Sequence, residues 1–195
     1  MPSESVTDST SLHVLHLGLA EQGKLHALNN QHQEALTHYR EAIKVAVSLN
    51  APEVFFRHYT QCVIESLERK GSYDEAILFY QAADDHYITQ RQQQQLSADL
   101  YQKDHADILQ KLGCVQLKKG DLVAAKQTLT RAIATAGDAD MRLSKELLGW
   151  LQRGYTINTT RIEQLQQKHH YFVVRQGQVN QKIARPLSQG AGLPV

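Results

Sequence analysis

Apolar residues recur along this chain at helical spacing, in blocks separated by short polar turns. Leu12, Leu15, Leu19 and Ala20 share one face, with Val14 and Leu17 beside it, which predicts a helix from a cap at Ser9, Thr10 or Ser11 to about Leu28. A second helix runs from about Gln31 to Leu49 and is stopped by Asn50-Ala51-Pro52. Proline suits the first turn of the next helix, Pro52 to Lys70, whose wide apolar face is Phe55, Phe56, Tyr59, Val63, Ile64 and Leu67. Ser72 with Glu75 three residues on is a capping box, opening a fourth helix to about Thr89. Glutamine is a good helix former, so the run Gln90 to Gln95 is expected as helix with a short break. A fifth helix, Leu96 to Lys119, turns Leu100, Tyr101, Ile108, Leu109, Leu112 and Val115 inward. Asp121 caps a sixth, Leu122 to Thr135, which Gly137 ends. Asp138 or Asp140 caps a seventh carrying Met141, Leu143, Leu147, Leu148, Trp150 and Leu151, to near Gly154. A second capping box, Thr160 to Glu163, opens an eighth helix to about His170, with Ile162 and Leu165 as its apolar residues.

Three of these segments repeat a pattern. Ala35/Tyr39/Ala42, Ala76/Tyr80/Ala83 and Ala125/Leu129/Ala132 are small–bulky–small sets spaced four then three, which keeps each set on one helix face. Each follows a turn position, Asn30, Gly71 and Gly120, suited to left-handed backbone. Gly23 and Leu112-Gly113 supply small residues on the preceding helices, where the middle copy has Ile64, so its helices are expected further apart. The alternative is a helical bundle with coincidental alanine spacing.

The pattern resembles the tetratricopeptide repeat, over about residues 12 to 136. The motif alanines lie 41 and 49 positions apart, against a family period of about 34, so the helices or connections must be longer than usual. The resemblance implies an all-α fold, a right-handed α–α superhelix of seven to eight helices. Its expected organisation is a disordered leader over 1–9 and a helical repeat domain over 10–170, with repeats near 12–49, 52–89 and 96–136 and a degenerate capping pair over 138–170. After Glu163 the chain has no acid, while Lys168, Arg175, Lys182 and Arg185 make it basic. Residues 171–195 are expected as a basic, mostly flexible tail, with Tyr171 to Val174 as a short apolar exception laid against the last helices.

Composition narrows the function. A hydrophobic content of 42% suffices for a core, and a net charge of +1 argues against general nucleic-acid binding. No apolar run approaches a membrane span, and Met1 to Ser11 is polar and acidic rather than a secretory signal, so a cytoplasmic protein is expected. Cys62 and Cys114 are expected as free buried thiols rather than a disulfide. There is no phosphate-cradling glycine loop, CxxC or HExxH. The pairs His13/His16 and Asp104/Asp107 lack the further ligands that structural zinc needs, and His169-His170 reads as the polar end of a helix. Neither a catalytic set nor a cofactor or metal site is expected.

The resemblance implies a peptide site on the concave side, lined by first helices. The corresponding positions are Lys24 and Leu28, then His58, Gln61, Glu65 and Arg69, then Gln110, Lys111, Cys114 and Lys118. The Lys/Asn/Arg clamp with which such proteins hold the carboxy-terminus of heat-shock chaperones is missing: Ala20 and Lys24, and in the second copy Gln61 and Glu65, stand there instead. The expected function is a non-enzymatic interaction module (adaptor, scaffold or chaperone) binding a protein or peptide partner. The competing expectation is an assembly subunit that self-associates or docks through its ends and tail, the tail lying in a neighbour's groove opposite Glu65 and Glu68.

Overall fold

The fold is a computed structural model that describes residues 4–92 and 98–187, with side chains placed for 11–91 and 101–187. Among the described residues there are eight helices and no strand. They are α1 (Glu4–Leu28), α2 (His32–Ser48), α3 (Glu53–Lys70), α4 (Tyr73–Gln92), α5 (Ala98–Lys119), α6 (Leu122–Ala136), α7 (Arg142–Gln152) and α8 (Thr159–Lys168).

Helix endings explain how the chain turns back on itself. After α1, α2, α5, α7 and α8 a residue with positive φ follows the last turn: Asn30, Asn50, Gly120, Gly154 and His170. In each case the next backbone N–H reaches back five residues, as Gln31 to the His26 carbonyl at 2.9 Å and Asp121 to that of Gln116 at 2.9 Å. This closure satisfies carbonyls the helix leaves unpaired and reverses the chain within two or three residues. The expected turn positions Asn30, Gly71 and Gly120 all have positive φ, at 58°, 86° and 93°. Asp121 caps α6, its carboxylate accepting the Ala124 N–H at 3.0 Å.

The small–bulky motif is a steric contact. A Cβ on Gly23 would stand 2.5 Å from the Tyr39 ring, and one on Gly113 would stand 2.7 Å from Leu129. Ala35, Tyr39, Ala42, Ala125, Leu129 and Ala132 are all completely buried. Two close helix pairs, α1–α2 and α5–α6, result.

The chain divides into two compact units. Unit 1 takes residues up to Gly71 together with those from Val173 onward; unit 2 is Ser72–Phe172. In unit 1, α1, α2 and α3 enclose Leu19, Ala20, Ala42, Ala46, Ala51 and Tyr59, with Leu187 packed at the edge. In unit 2 the core joins α5 to α8: Cys114, Leu117, Leu129, Leu147, Ile162 and Leu165, closed by Tyr171 and Phe172. The αL residue His170 aims those two aromatics inward after α8.

Four expectations are corrected. Residues 4–9, expected as disordered leader, are the first turns of α1; residues 1–3 lie outside the described residues. The α7 N-terminus has no side-chain cap, because Asp140 pairs with Arg142 and Lys145 instead. Asn158 rather than Thr160 caps α8, accepting the Arg161 N–H at 2.9 Å. Residues 171–187, expected to be mostly flexible, are bound to the helices by backbone hydrogen bonds. Of the glutamine run, residues up to Gln92 extend α4 and the rest lie outside the described residues.

Candidate functional site

In unit 1, α1 and α3 present polar acceptors at helical spacing, and the segment 173–187 lies on them. Gly18, Glu21, Leu25 and Leu28 fall on one face of α1, spaced three, four and three; His58, Gln61, Glu65 and Arg69 do so on α3. The Glu65 carboxylate accepts two consecutive backbone N–H groups, Val173 at 2.7 Å and Val174 at 3.3 Å. Glu21 accepts the Asn180 N–H at 2.6 Å, and the Gly18 carbonyl that of Arg185 at 2.9 Å. Nε2 of His38, on α2, accepts the Leu187 N–H at 3.3 Å. The segment therefore runs back along α1 from its C-terminal end, where Leu25, Leu28 and Asn29 face Gln176, Gly177, Val179 and Gln181 across a cleft of about 450 Å³. It is irregular rather than strand-like, with turns in which Gln178 donates to the Arg175 carbonyl and Ile183 to that of Asn180.

Gly18 is there because nothing larger fits. A Cβ at this position would meet the Ile183 carbonyl oxygen at 2.7 Å and Arg185 Cγ at 2.8 Å. A glycine inside a helix costs about 1 kcal/mol against alanine, so its use marks a close approach of backbone.

The electrostatics follow from burial. Glu65 is only 7% exposed. Burial pushes its carboxyl up to about 7, while the two donated N–H groups and Arg69 pull the other way and Glu68 adds to the rise. His38 is held in one tautomer. Its Nδ1 meets the Glu34 carbonyl at 2.8 Å, which can only accept, so Nδ1 carries the proton and Nε2 is bare for Leu187. Burial lowers its pKa, consistent with a neutral ring. Cys62 lies 3.8 Å from Nε2 of His58. Burial pushes this thiol up to about 12 and lowers the imidazole, so the pair stays neutral rather than forming a reactive thiolate.

The ten candidate residues have different fates. In unit 1, Lys24 is paired with Glu21 at 2.7 Å, and Leu28 lines the cleft. His58 sits beside Cys62, Gln61 and Arg69 are partly buried, and Glu65 is the principal acceptor. In unit 2 the four positions on α5 are not an open surface. Gln110 accepts both the N–H and the hydroxyl of Ser144 on α7, and Cys114 is core. Lys111 and Lys118 are buried, paired with Asp107 and Glu163, each with its ammonium 5.8 Å from a ring centroid, of Tyr171 and Phe172 respectively. The apolar Tyr171–Phe172 pair covers that face.

Glu21, Gly18 and His38 were not among the candidates. Gly18 carried a signal, a glycine in the middle of an otherwise strong helix; Glu21 and His38 carried none. The pairs considered for metal binding are engaged otherwise. His13 and His16 are 3.1 Å apart, with His16 also 2.8 Å from the Tyr59 hydroxyl, and Asp107 pairs with Lys111. Among the described residues no group of three or more His, Cys, Asp or Glu is placed to hold a metal ion, and no helix is long and apolar enough to cross a membrane. The chain matches no protein-family model, no curated protein and no solved structure.

Proposed function

We propose that this chain is a non-enzymatic interaction module, an adaptor, scaffold or chaperone of tetratricopeptide-like design. In this reading its hairpins belong to a right-handed superhelix, and the α1/α3 face receives a short non-helical segment of a protein partner. One observation carries it: a segment of that kind already lies on the face, held by backbone N–H groups that Glu65, Glu21, Gly18 and His38 accept. Backbone recognition of this sort supplies affinity with little demand on sequence, leaving side chains to fix register. The acidic acceptors suit a basic ligand. The test is selection of short peptides from a displayed library on the full chain. Enriched basic peptides should lose binding to a Glu65→Ala chain; no enrichment, or binding indifferent to that change, overturns the reading.

The competing reading, an assembly subunit, is favoured by a different observation. Leu122 and Val123 on α6 are 50% and 71% exposed, and with Leu151 they line an open cleft beside Lys126 and Arg131. Exposed large apolar side chains side by side are a common mark of protein interfaces. Light scattering after gel filtration decides: a dimer that Val123→Glu converts to monomer supports assembly through this face, and a monomeric native chain rejects self-association.

A further inference from the structure

The segment 173–187 is an unusual piece of folded chain. Its side chains contribute modestly: the polar ones are exposed, Val173, Val179, Ala184 and Leu187 are half-buried, and only Val174 is buried. What holds it is a row of backbone N–H groups on acceptors of the three helices. It carries three cations and no acid, against Glu21 and Glu65 on the helices beneath. Segments that bury little apolar surface sit at the low end of local stability and open without global unfolding. When this one lifts, both carboxylates can rehydrate, so opening does not strand a charge in an apolar site.

We infer that residues 173–187 are a built-in ligand: the segment occupies the α1/α3 face in cis and must be displaced before a basic, non-helical segment of a partner can bind there. The inference rests on the interaction-module reading and specifies the ligand it takes. Two consecutive residues of that ligand must offer N–H groups to Glu65, which bars proline from both. The residue over Gly18 must bring its backbone close, because the helix has no side chain at that point. A partner then sees an affinity reduced by the fraction of chains that are closed.

The experiment uses the full chain and a fluorescent peptide with the sequence of residues 171–187. Val173→Pro in the chain removes the closest N–H on Glu65 from the internal segment and leaves the face itself unaltered. The peptide should bind this variant roughly tenfold or more tighter than the native chain, as expected for loss of a hydrogen bond to a charged group. The added Glu65→Ala change should abolish the gain. Equal, Glu65-dependent binding to native and variant chains overturns the inference while the face remains a peptide site. Binding to neither overturns both. Hydrogen exchange on the native chain gives an answer that needs no variant. The amides of Val173, Val174, Asn180 and Arg185 should exchange by an opening that leaves those of Leu36, Tyr39 and Leu67 protected. Exchange of both sets together would make the segment a fixed part of the fold and reject displacement.

Discussion

The Glu65 carboxylate and the Val173 backbone N–H meet at 2.7 Å although 108 positions of sequence separate them. One carboxylate thus fixes a stretch of chain that has few apolar contacts of its own. Glu65→Ala leaves two N–H groups without their acceptor and should cost about 1–3 kcal/mol, read as a lower urea midpoint at constant slope. Glu65→Gln keeps an acceptor oxygen and should cost less. An unchanged midpoint for Glu65→Ala would mean that the contact contributes nothing.

Stability should pass through a maximum near neutral pH. Glu65, raised to about 7, adds stability that is complete below the ordinary carboxylate value of 4.5 and is lost as pH rises through 7. His16, His32, His38 and His58 are lowered from 6.5, chiefly by burial. Their contribution is complete above that value and is lost as the pH falls through their folded values. Calorimetry from pH 5 to 9 should show the midpoint falling on both sides. Glu65→Gln should flatten the alkaline limb and leave the acid limb in place.

Two glycines in helices should respond differently to alanine. At Gly113 the new methyl would run into Leu129 at 2.7 Å, inside the α5–α6 contact. Overpacking of about 1–3 kcal/mol outweighs a propensity gain of about 1 kcal/mol, so the thermal midpoint should fall. At Gly18 the obstacle is the segment 173–187, which has somewhere to go. The midpoint should hold or rise while the Arg185 amide loses its protection against exchange. Equal loss of midpoint at both positions would contradict the distinction.

Asp84 on α4 ties two helices of unit 2. It lies 2.6 Å from Nε2 of His105 on α5 and accepts from Arg131 on α6 at 3.0 and 3.1 Å. Its side chain is 11% exposed and that of His105 6%, whereas Arg131 is half exposed. Asp84→Ala should therefore cost about 3 kcal/mol by leaving the buried His105 without its partner, and Arg131→Ala under about 1 kcal/mol. Urea titration ranks the two, and the opposite order would place the weight of the network on Arg131.

Local chemistry was legible in the sequence where it is decided within a few residues. The turns at Asn30, Gly71 and Gly120 and the cap at Asp121 follow from backbone geometry and one side chain. The motif residues of the first and third copies announced the α1–α2 and α5–α6 contacts, where Tyr39 and Leu129 stand over Gly23 and Gly113. The site was legible only as a surface. Glu65 and the basic tail were both visible, and their opposite charge suggested that tails dock on such a face. Yet the contact is made by backbone N–H groups, which every residue but proline has, so no side-chain pattern marks Val173 or Asn180 as donors. The burial of Lys111 and Lys118 was hidden for a related reason. A lysine on a helix face reads as solvated until an aromatic pair from elsewhere, here Tyr171 and Phe172, is laid over its stem.

Because unit 1 is made of residues on both sides of unit 2, it cannot be completed in the order the ribosome supplies it. Helices α1 to α3 emerge first, and about 100 further residues follow before Val173 appears, roughly 5–20 s of synthesis. Through that interval Glu21 and Glu65 stand without the N–H groups they later accept. The face built by α1 and α3 is therefore made well before the segment that covers it, and it is covered only once Val173 and the residues after it have been synthesised.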